Sequence, residues 1–101
     1  VLLNNGGGGI FHTLPGLSMQ DGVRRFVTAV HDASAEGWAR SRGFNYLKVS
    51  EESALMPALG KFFEETSPVP VLLEVFTDAD GDADELRKYE QWIRKTKIQE
   101  I

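Results

Sequence analysis

Residues 69–76 read Val-Pro-Val-Leu-Leu-Glu-Val-Phe, and the fold class follows from this stretch. From residue 71 onward it is almost continuous in apolar residues, without the alternation of a strand that has one face in water. Continuous apolar strands are typical of parallel sheets, which are buried on both faces. The stretch therefore predicts the most buried strand of a parallel sheet.

Strands and helices with weaker sequence patterns are predicted before this strand, and a helix is predicted after it. A strand is predicted over residues 1–3, which are apolar and are followed by turn residues. A second strand is predicted over residues 44–49, which alternate and are rich in aromatic and branched side chains. Helices are predicted after a cap at Asp32 or Ser34 to about residue 42, after a cap at Ser53 to residues 66–68, and from about residue 82 to 97. Strands that alternate with helices indicate an α/β fold of about three parallel strands flanked by helices.

A run of four glycines directly follows the first strand, within Asn4-Asn5-Gly6-Gly7-Gly8-Gly9-Ile10-Phe11. A flexible linker is one interpretation. The strand directly before the run and the Ile-Phe pair directly after it disfavour that interpretation. A Walker loop is absent because no Lys-Ser or Lys-Thr follows, and a dinucleotide fingerprint would need a third glycine where Phe11 stands.

A third interpretation is a magnesium site that also receives phosphates. The side-chain oxygen of an Asn and a main-chain carbonyl are the hard ligands that Mg²⁺ prefers. An Asn at a strand end, followed by Gly two residues later, can present both oxygens to one ion. Glycines at this place would also let the phosphates of a cofactor lie against the main chain.

Residues 4–11, followed by Leu14-Pro15, resemble the second half of the thiamine-diphosphate motif, which begins with Gly-Asp-Gly and ends with Asn-Asn. Among thiamine-diphosphate-dependent enzymes, the run is most similar to MenD, the family of 2-succinyl-5-enolpyruvyl-6-hydroxy-3-cyclohexene-1-carboxylate synthases. The resemblance implies that residues 1–101 are the C-terminal part of a thiamine-diphosphate-binding domain of the PP type. The opening Val1-Leu2-Leu3, which lacks a polar lead-in, fits the expectation of a fragment of a longer chain.

The resemblance also implies roles for individual residues, although it assigns no catalytic residue within this chain. Asn5 matches the Asn whose side chain binds Mg²⁺ or Mn²⁺, and Gly7 matches the position whose main-chain oxygen binds the same ion. The residues expected to contact the cofactor are Asn5, Gly7, Gly8, Ile10 and Phe11. The residues expected to line the substrate pocket are Ile10, Phe11 and Leu14.

The activity implied for the parent enzyme is a carboligase step of menaquinone biosynthesis. It joins a decarboxylated 2-oxoglutarate unit to isochorismate, with thiamine diphosphate and Mg²⁺ as cofactors, in a homo-oligomer. The isolated chain is expected to be inactive, because the Gly-Asp-Gly half of the motif and the activating glutamate are not in it. Two alternatives stay open: another thiamine-diphosphate-dependent decarboxylase or carboligase, and a small non-enzymatic α/β association module.

The composition of the chain excludes several classes of protein and of chemistry. The 101 residues carry 11 Lys and Arg against 15 Asp and Glu, a net charge of −4, which gives no electrostatic footprint for nucleic acid. No apolar run is long enough for a membrane span, and a cytoplasmic location is expected. The absence of cysteine excludes disulfides and thiolate chemistry. The acidic residues 78–84 lack the glycine spacing of a calcium loop, so they are interpreted as the N-terminal cap of the last helix.

Overall fold

The structure is a computed structural model that describes residues 1–14, 16, 22, 25–26, 28–64 and 66–99. The chain divides into two compact units. The first consists of residues 1–4 and 32–77, and the second of residues 5–31 and 78–101. The first unit contains the sheet, and the second contains the glycine loop. Within the described residues, no helix is both long and apolar enough to cross a membrane.

The sheet of the first unit has three parallel strands in the order β1-β3-β2. They are β1 (Leu2–Asn4), β2 (Asn45–Val49) and β3 (Val71–Phe76). Leu73 and Glu74 in β3 are both fully buried. Because successive side chains of a strand point to opposite faces, β3 is covered on both faces there. The prediction of an α/β fold with three parallel strands is therefore confirmed, and 71–76 is its central strand.

The α-helices are α1 (Ile10–Thr13), α2 (Glu36–Ser41), α3 (Leu55–Phe62) and α4 (Ala79–Gln99). In the first unit, α2 contacts β2, and α3 contacts both β2 and β3. Ala39 of α2 and Val49 of β2 are buried with Leu73 to form the apolar core of this unit. The helices that flank the sheet thus come from the sequence between its strands, as the alternation predicts.

The prediction that Ser53 caps the middle helix is wrong, because the N-cap residue is Ala54. A 3₁₀ turn occupies Glu52–Ala54, and α3 begins only at Leu55, without a side-chain cap. Pro57 is then the third helical residue, where the missing N–H does no harm because first-turn N–H groups have no partner within the helix. The helix also ends earlier than predicted, at Phe62.

Helix α4 of the second unit begins at residue 79, three positions before the prediction. The reason is Asp78, whose Oδ2 accepts the N–H of Gly81 at 2.8 Å, while its main-chain oxygen accepts the N–H of Asp82 at 2.8 Å. This is the bonding pattern of an N-cap residue. The capping interpretation of the acidic segment is confirmed. In the same unit, α4 packs against α1.

Candidate functional site

The glycine loop is a sequence of tight turns held by its own hydrogen bonds. The side-chain oxygen Oδ1 of Asn5 accepts the N–H of Gly7 at 3.2 Å. The main-chain oxygen of Gly7 accepts the N–H of Gly9 at 3.0 Å, and that of Gly9 accepts the N–H of His12 at 3.0 Å, at the start of α1. Asn5 therefore acts as an Asx turn, in which a side chain takes the place of a main-chain acceptor.

Close packing explains why glycines stand in this loop. Gly6 has a φ of +77°, which disfavours any residue with a Cβ. A Cβ at Gly7 would lie 2.9 Å from the main-chain oxygen of Thr28, and one at Gly9 would overlap the Asn5 amide. In addition, Gly8 donates its N–H to Thr28, and Gly6 accepts the N–H of His31 at 2.8 Å. The run is thus a packed loop, and the linker interpretation is wrong.

A cavity of about 250 Å³ lies beside the loop within the second unit. Its wall includes amide and main-chain groups of the loop, one imidazole and two carboxylates. The residues that line it are Asn5, Gly6, Gly7, His12, Thr28, Val30, Asp78, Ala79 and Asp80.

The imidazole in this wall is buried and contacts an exposed carboxylate. His12 is 9% exposed, and its Nδ1 lies 2.7 Å from Oδ1 of Asp80. Its main-chain oxygen accepts a 2.7 Å hydrogen bond from Nη2 of Arg87. The ring and the backbone of His12 are therefore both held by α4. Sequence reasoning assigned His12 no role, because residues 12 and 80 are 68 positions apart and no local spacing relates them.

The structure brings together the two predicted metal ligands, Asn5 and Gly7, in one turn and one cavity wall. The other predicted site residues are placed differently. Ile10 is 65% exposed and Leu14 is 39% exposed, and neither lines this cavity. The side chain of Phe11 lies outside the described part of the chain. The cofactor and substrate roles given to these residues and to Gly8 stay predictions.

The donor set of the loop fits a hard divalent cation. An amide oxygen and a main-chain carbonyl oxygen are ligands of the type that Mg²⁺ accepts, with water completing the shell. Each of the two oxygens has one hydrogen bond from an N–H in the loop, and a carbonyl oxygen has two lone pairs. Among the described residues, no cluster of three or more His, Asp or Glu side chains could hold a metal by itself. A cation here would therefore be held by Asn5, Gly7 and ligands from elsewhere.

The first unit contains a polar cluster that sequence reasoning also missed. Glu74 is fully buried in the centre of β3 and accepts hydrogen bonds from four residues. Burial acts to raise the pKa of this carboxyl, but the bonds from Tyr46, Asn4, Ser34 and the main chain of Ala35 outweigh it, and its pKa is lowered. Burial raises the pKa of Tyr46, with Glu74 adding to the effect. The signal in the sequence was a lone acid within an apolar strand.

The relatives described here, which are similar to this chain in sequence, are synthases of the same name. Over 90 residues, the chain is 53% identical to the 2-succinyl-5-enolpyruvyl-6-hydroxy-3-cyclohexene-1-carboxylate synthase of Bacteroides fragilis and 50% identical to that of Bacteroides thetaiotaomicron. Over these matched residues, the chain belongs to this synthase family. A relative of the same name from Christiangramia forsetii is 30% identical over 89 residues. The family is the one that residues 4–15 resemble, so that prediction is confirmed.

The match covers most of this chain and a small part of each synthase. It includes 88% of the chain, and it spans 16% of the Bacteroides synthases and 15% of the Christiangramia synthase. No protein-family model matches the chain. No solved structure matches it either.

Proposed function

We propose that this chain forms part of a thiamine-diphosphate-dependent synthase of the kind its relatives are named for. In this proposal, the glycine loop is the metal and diphosphate end of the cofactor site. The observation that carries it is the turn that brings Asn5 and Gly7 into one cavity wall, on a loop too tight for side chains. The identity of 50–53% to the Bacteroides synthases supports the same proposal.

In the proposed site, Asn5 and Gly7 hold Mg²⁺, or Mn²⁺ in its place. Their side-chain and main-chain oxygens are uncharged, so they position the cation without neutralising it and leave its charge for the diphosphate. Gly8 and its neighbours let phosphate oxygens approach the main chain, because no side chain stands in the way. Ile10 and Phe11 are proposed to contact the cofactor, and with Leu14 they are proposed to line the substrate pocket.

When bound, thiamine diphosphate supplies the nucleophilic carbon and the electron sink for decarboxylation and carbon–carbon bond formation. We propose 2-oxoglutarate and isochorismate as the substrates, menaquinone biosynthesis as the pathway, and a cytoplasmic homo-oligomer as the working form. The role proposed for the glycine loop is to anchor and orient the cofactor. The groups that activate the cofactor are proposed to lie outside these 101 residues.

The test is the substitution Asn5→Ala in the full-length protein that carries this chain. Loss of an outer-shell partner of a metal ligand costs roughly 10–100-fold in metal affinity, and loss of the ligand itself should cost at least as much. We therefore expect the Kd for Mg²⁺, titrated at saturating thiamine diphosphate and followed by tryptophan fluorescence, to rise by at least that factor.

A matched control is Asn45→Ala in the first unit. Asn45 is exposed, and its side-chain amide donates a long bond of 3.3 Å to Ser67 of the same unit. This substitution should leave the affinity for Mg²⁺ unchanged. An Asn5→Ala protein that binds Mg²⁺ as tightly as the wild type would contradict the proposed site.

A further inference from the structure

We infer that Glu74 is a positioning residue for the Asn5–Gly7 ligand pair, and that it acts through Asn4. The inference rests on the proposed function and extends it to a carboxylate in the first unit. The hydrogen bonds of Glu74 and Asn4 that carry it lie within that unit, one further bond lies within the loop's unit, and the connection to the ligand pair is the peptide chain itself.

The first step is the number of donors that converge on one buried carboxylate. Oε1 of Glu74 accepts from the hydroxyl of Tyr46 at 2.7 Å and from that of Ser34 at 2.9 Å. The N–H of Ala35 lies 3.0 Å from Oε1 and 3.2 Å from Oε2. Oε2 also accepts from Nδ2 of Asn4 at 2.9 Å. A fully buried charge is tolerable when its lone pairs are satisfied in this way.

The second step is that Asn4 is held at both its side chain and its backbone. Besides Glu74, its Nδ2 bonds to the main-chain oxygen of Ala33 at 2.8 Å. Its own main-chain oxygen accepts the N–H of Thr77 at 2.9 Å. Asn4 is therefore committed to the sheet, which leaves Asn5 as the amide that faces the cavity. Asn5 follows Asn4 directly in the chain, so the peptide bond between them joins the anchored end of β1 to the loop.

The third step is that the same carboxylate holds the return path of the chain. Ser34 and Ala35 bond to Glu74, and the chain runs back from them through Ala33 and Asp32 to His31. The N–H of His31 bonds to the main-chain oxygen of Gly6 in the loop. Two of the chain segments that enter the loop's unit, residues 4–5 and 31–32, therefore begin at a partner of Glu74 or within two residues of one.

The fourth step explains why a carboxylate is needed here. The groups that face Glu74 act as donors, and a carboxylate accepts at both oxygens. In Glu74→Gln, one oxygen becomes an NH₂ group that faces the N–H of Ala35 in either orientation, and the negative charge that strengthens the bond from Asn4 is lost. The variant thus weakens the bond to Asn4 while keeping the size and shape of the side chain.

The experiment measures Mg²⁺ affinity at saturating thiamine diphosphate in the full-length protein for Glu74→Gln, Asn4→Ala and the double variant. We expect each single variant to raise the Kd for Mg²⁺ by roughly 10-fold or more, as loss of outer-shell partners does. The double variant should lose little more than either single one, because both act through one bond. Asn4→Ala also keeps the test open if Glu74→Gln does not fold.

Two controls separate positioning from general stability. Leu73→Ala removes a fully buried neighbour in the same strand without touching the carboxylate, and Tyr46→Phe removes one donor to Glu74 other than Asn4. Both should lower the unfolding midpoint and leave the Kd for Mg²⁺ within about twofold of the wild type. If Leu73→Ala weakens Mg²⁺ binding as much as Glu74→Gln does, the role of Glu74 is structural only and the inference fails.

The outcome for Asn5→Ala distinguishes this inference from the proposed function. If Asn5→Ala loses Mg²⁺ while Glu74→Gln and Asn4→Ala retain it, the proposed site stands and the positioning role is overturned. If Asn5→Ala retains Mg²⁺, the proposed function itself fails.

Discussion

At the scale of single residues, short spacings were predictable and long-range partners were not. The pairing of Asn5 with Gly7 follows from a separation of two positions, and the structure brings both residues into one turn. The role of Glu74 depends on donors at positions 4, 34, 35 and 46, so the apolar strand around it indicated only burial. His12 and Asp80 are likewise paired by folding and not by spacing.

Because the pKa of Glu74 is lowered in the folded state, the free energy of unfolding should decrease at low pH. The folded state binds this proton more weakly than the unfolded state, so the stabilisation is present above the ordinary glutamate pKa of about 4.3. It is lost as pH falls through the lower pKa of the folded state. We expect the urea concentration at the unfolding midpoint of the full-length protein to decrease as the pH is lowered from about 5 to 3. The decrease should be smaller in Glu74→Gln. Glu52→Gln, which removes an exposed carboxylate from the same unit, should retain the wild-type slope.

The tight contact at Gly7 gives a second prediction for a single residue. A Cβ there would lie 2.9 Å from a main-chain oxygen, which cannot move aside as a flexible side chain can. Gly7→Ala should therefore displace the loop and weaken Mg²⁺ binding by roughly 10-fold or more. Gly37→Ala is the control, because Gly37 lies within α2 with open space around it, and alanine there should stabilise the helix by about 0.5–1 kcal/mol. Unchanged Mg²⁺ affinity in Gly7→Ala would show that the loop accommodates a side chain.

At the scale of elements, hydrophobic patterns located the strands and helices but placed some ends wrongly. The order of strands and helices around residues 71–76 was predictable because each segment has its own periodicity. Helix starts depend on which polar group reaches the free N–H groups of the first turn. Asp78 does so for α4, whereas no side chain caps α3, so the start of α4 was predicted three residues late and that of α3 one residue early.

The cap of α4 yields a prediction about stability. Asp78→Ala removes the acceptor for the N–H of Gly81 and should lower the free energy of unfolding by about 1 kcal/mol. Asp84→Ala provides a comparison within the same helix, because it removes an exposed ion pair with Arg87 and should cost less. Thermal or urea unfolding of both variants measures the difference. Equal losses in the two variants would mean that the cap contributes no more than a surface pair.

At the scale of the whole molecule, the sequence predicted the class of sheet and the family better than the extent of the protein. Three parallel strands make a small sheet, and large apolar side chains such as Tyr89 and Trp92 are 57% and 61% exposed. Both side chains lie on α4, and a local hydrophobic pattern predicts the helix but not which of its side chains are left exposed. The single-domain assignment of residues 1–101 and the homo-oligomer stay predictions.

The distribution of chemistry along the proposed synthase leads to the last prediction. Asn5 and Gly7 provide two neutral oxygens, and Mg²⁺ in an octahedral site needs further ligands that a longer protein and the diphosphate would supply. The resemblance also places the activating glutamate outside this sequence. We therefore expect the 101-residue chain, expressed alone and verified as folded by circular dichroism, to form no product from 2-oxoglutarate and isochorismate. The full-length protein should form product under the same conditions. Turnover by the short chain would show that its own residues, with the His12–Asp80 contact as the first to examine, supply the missing groups.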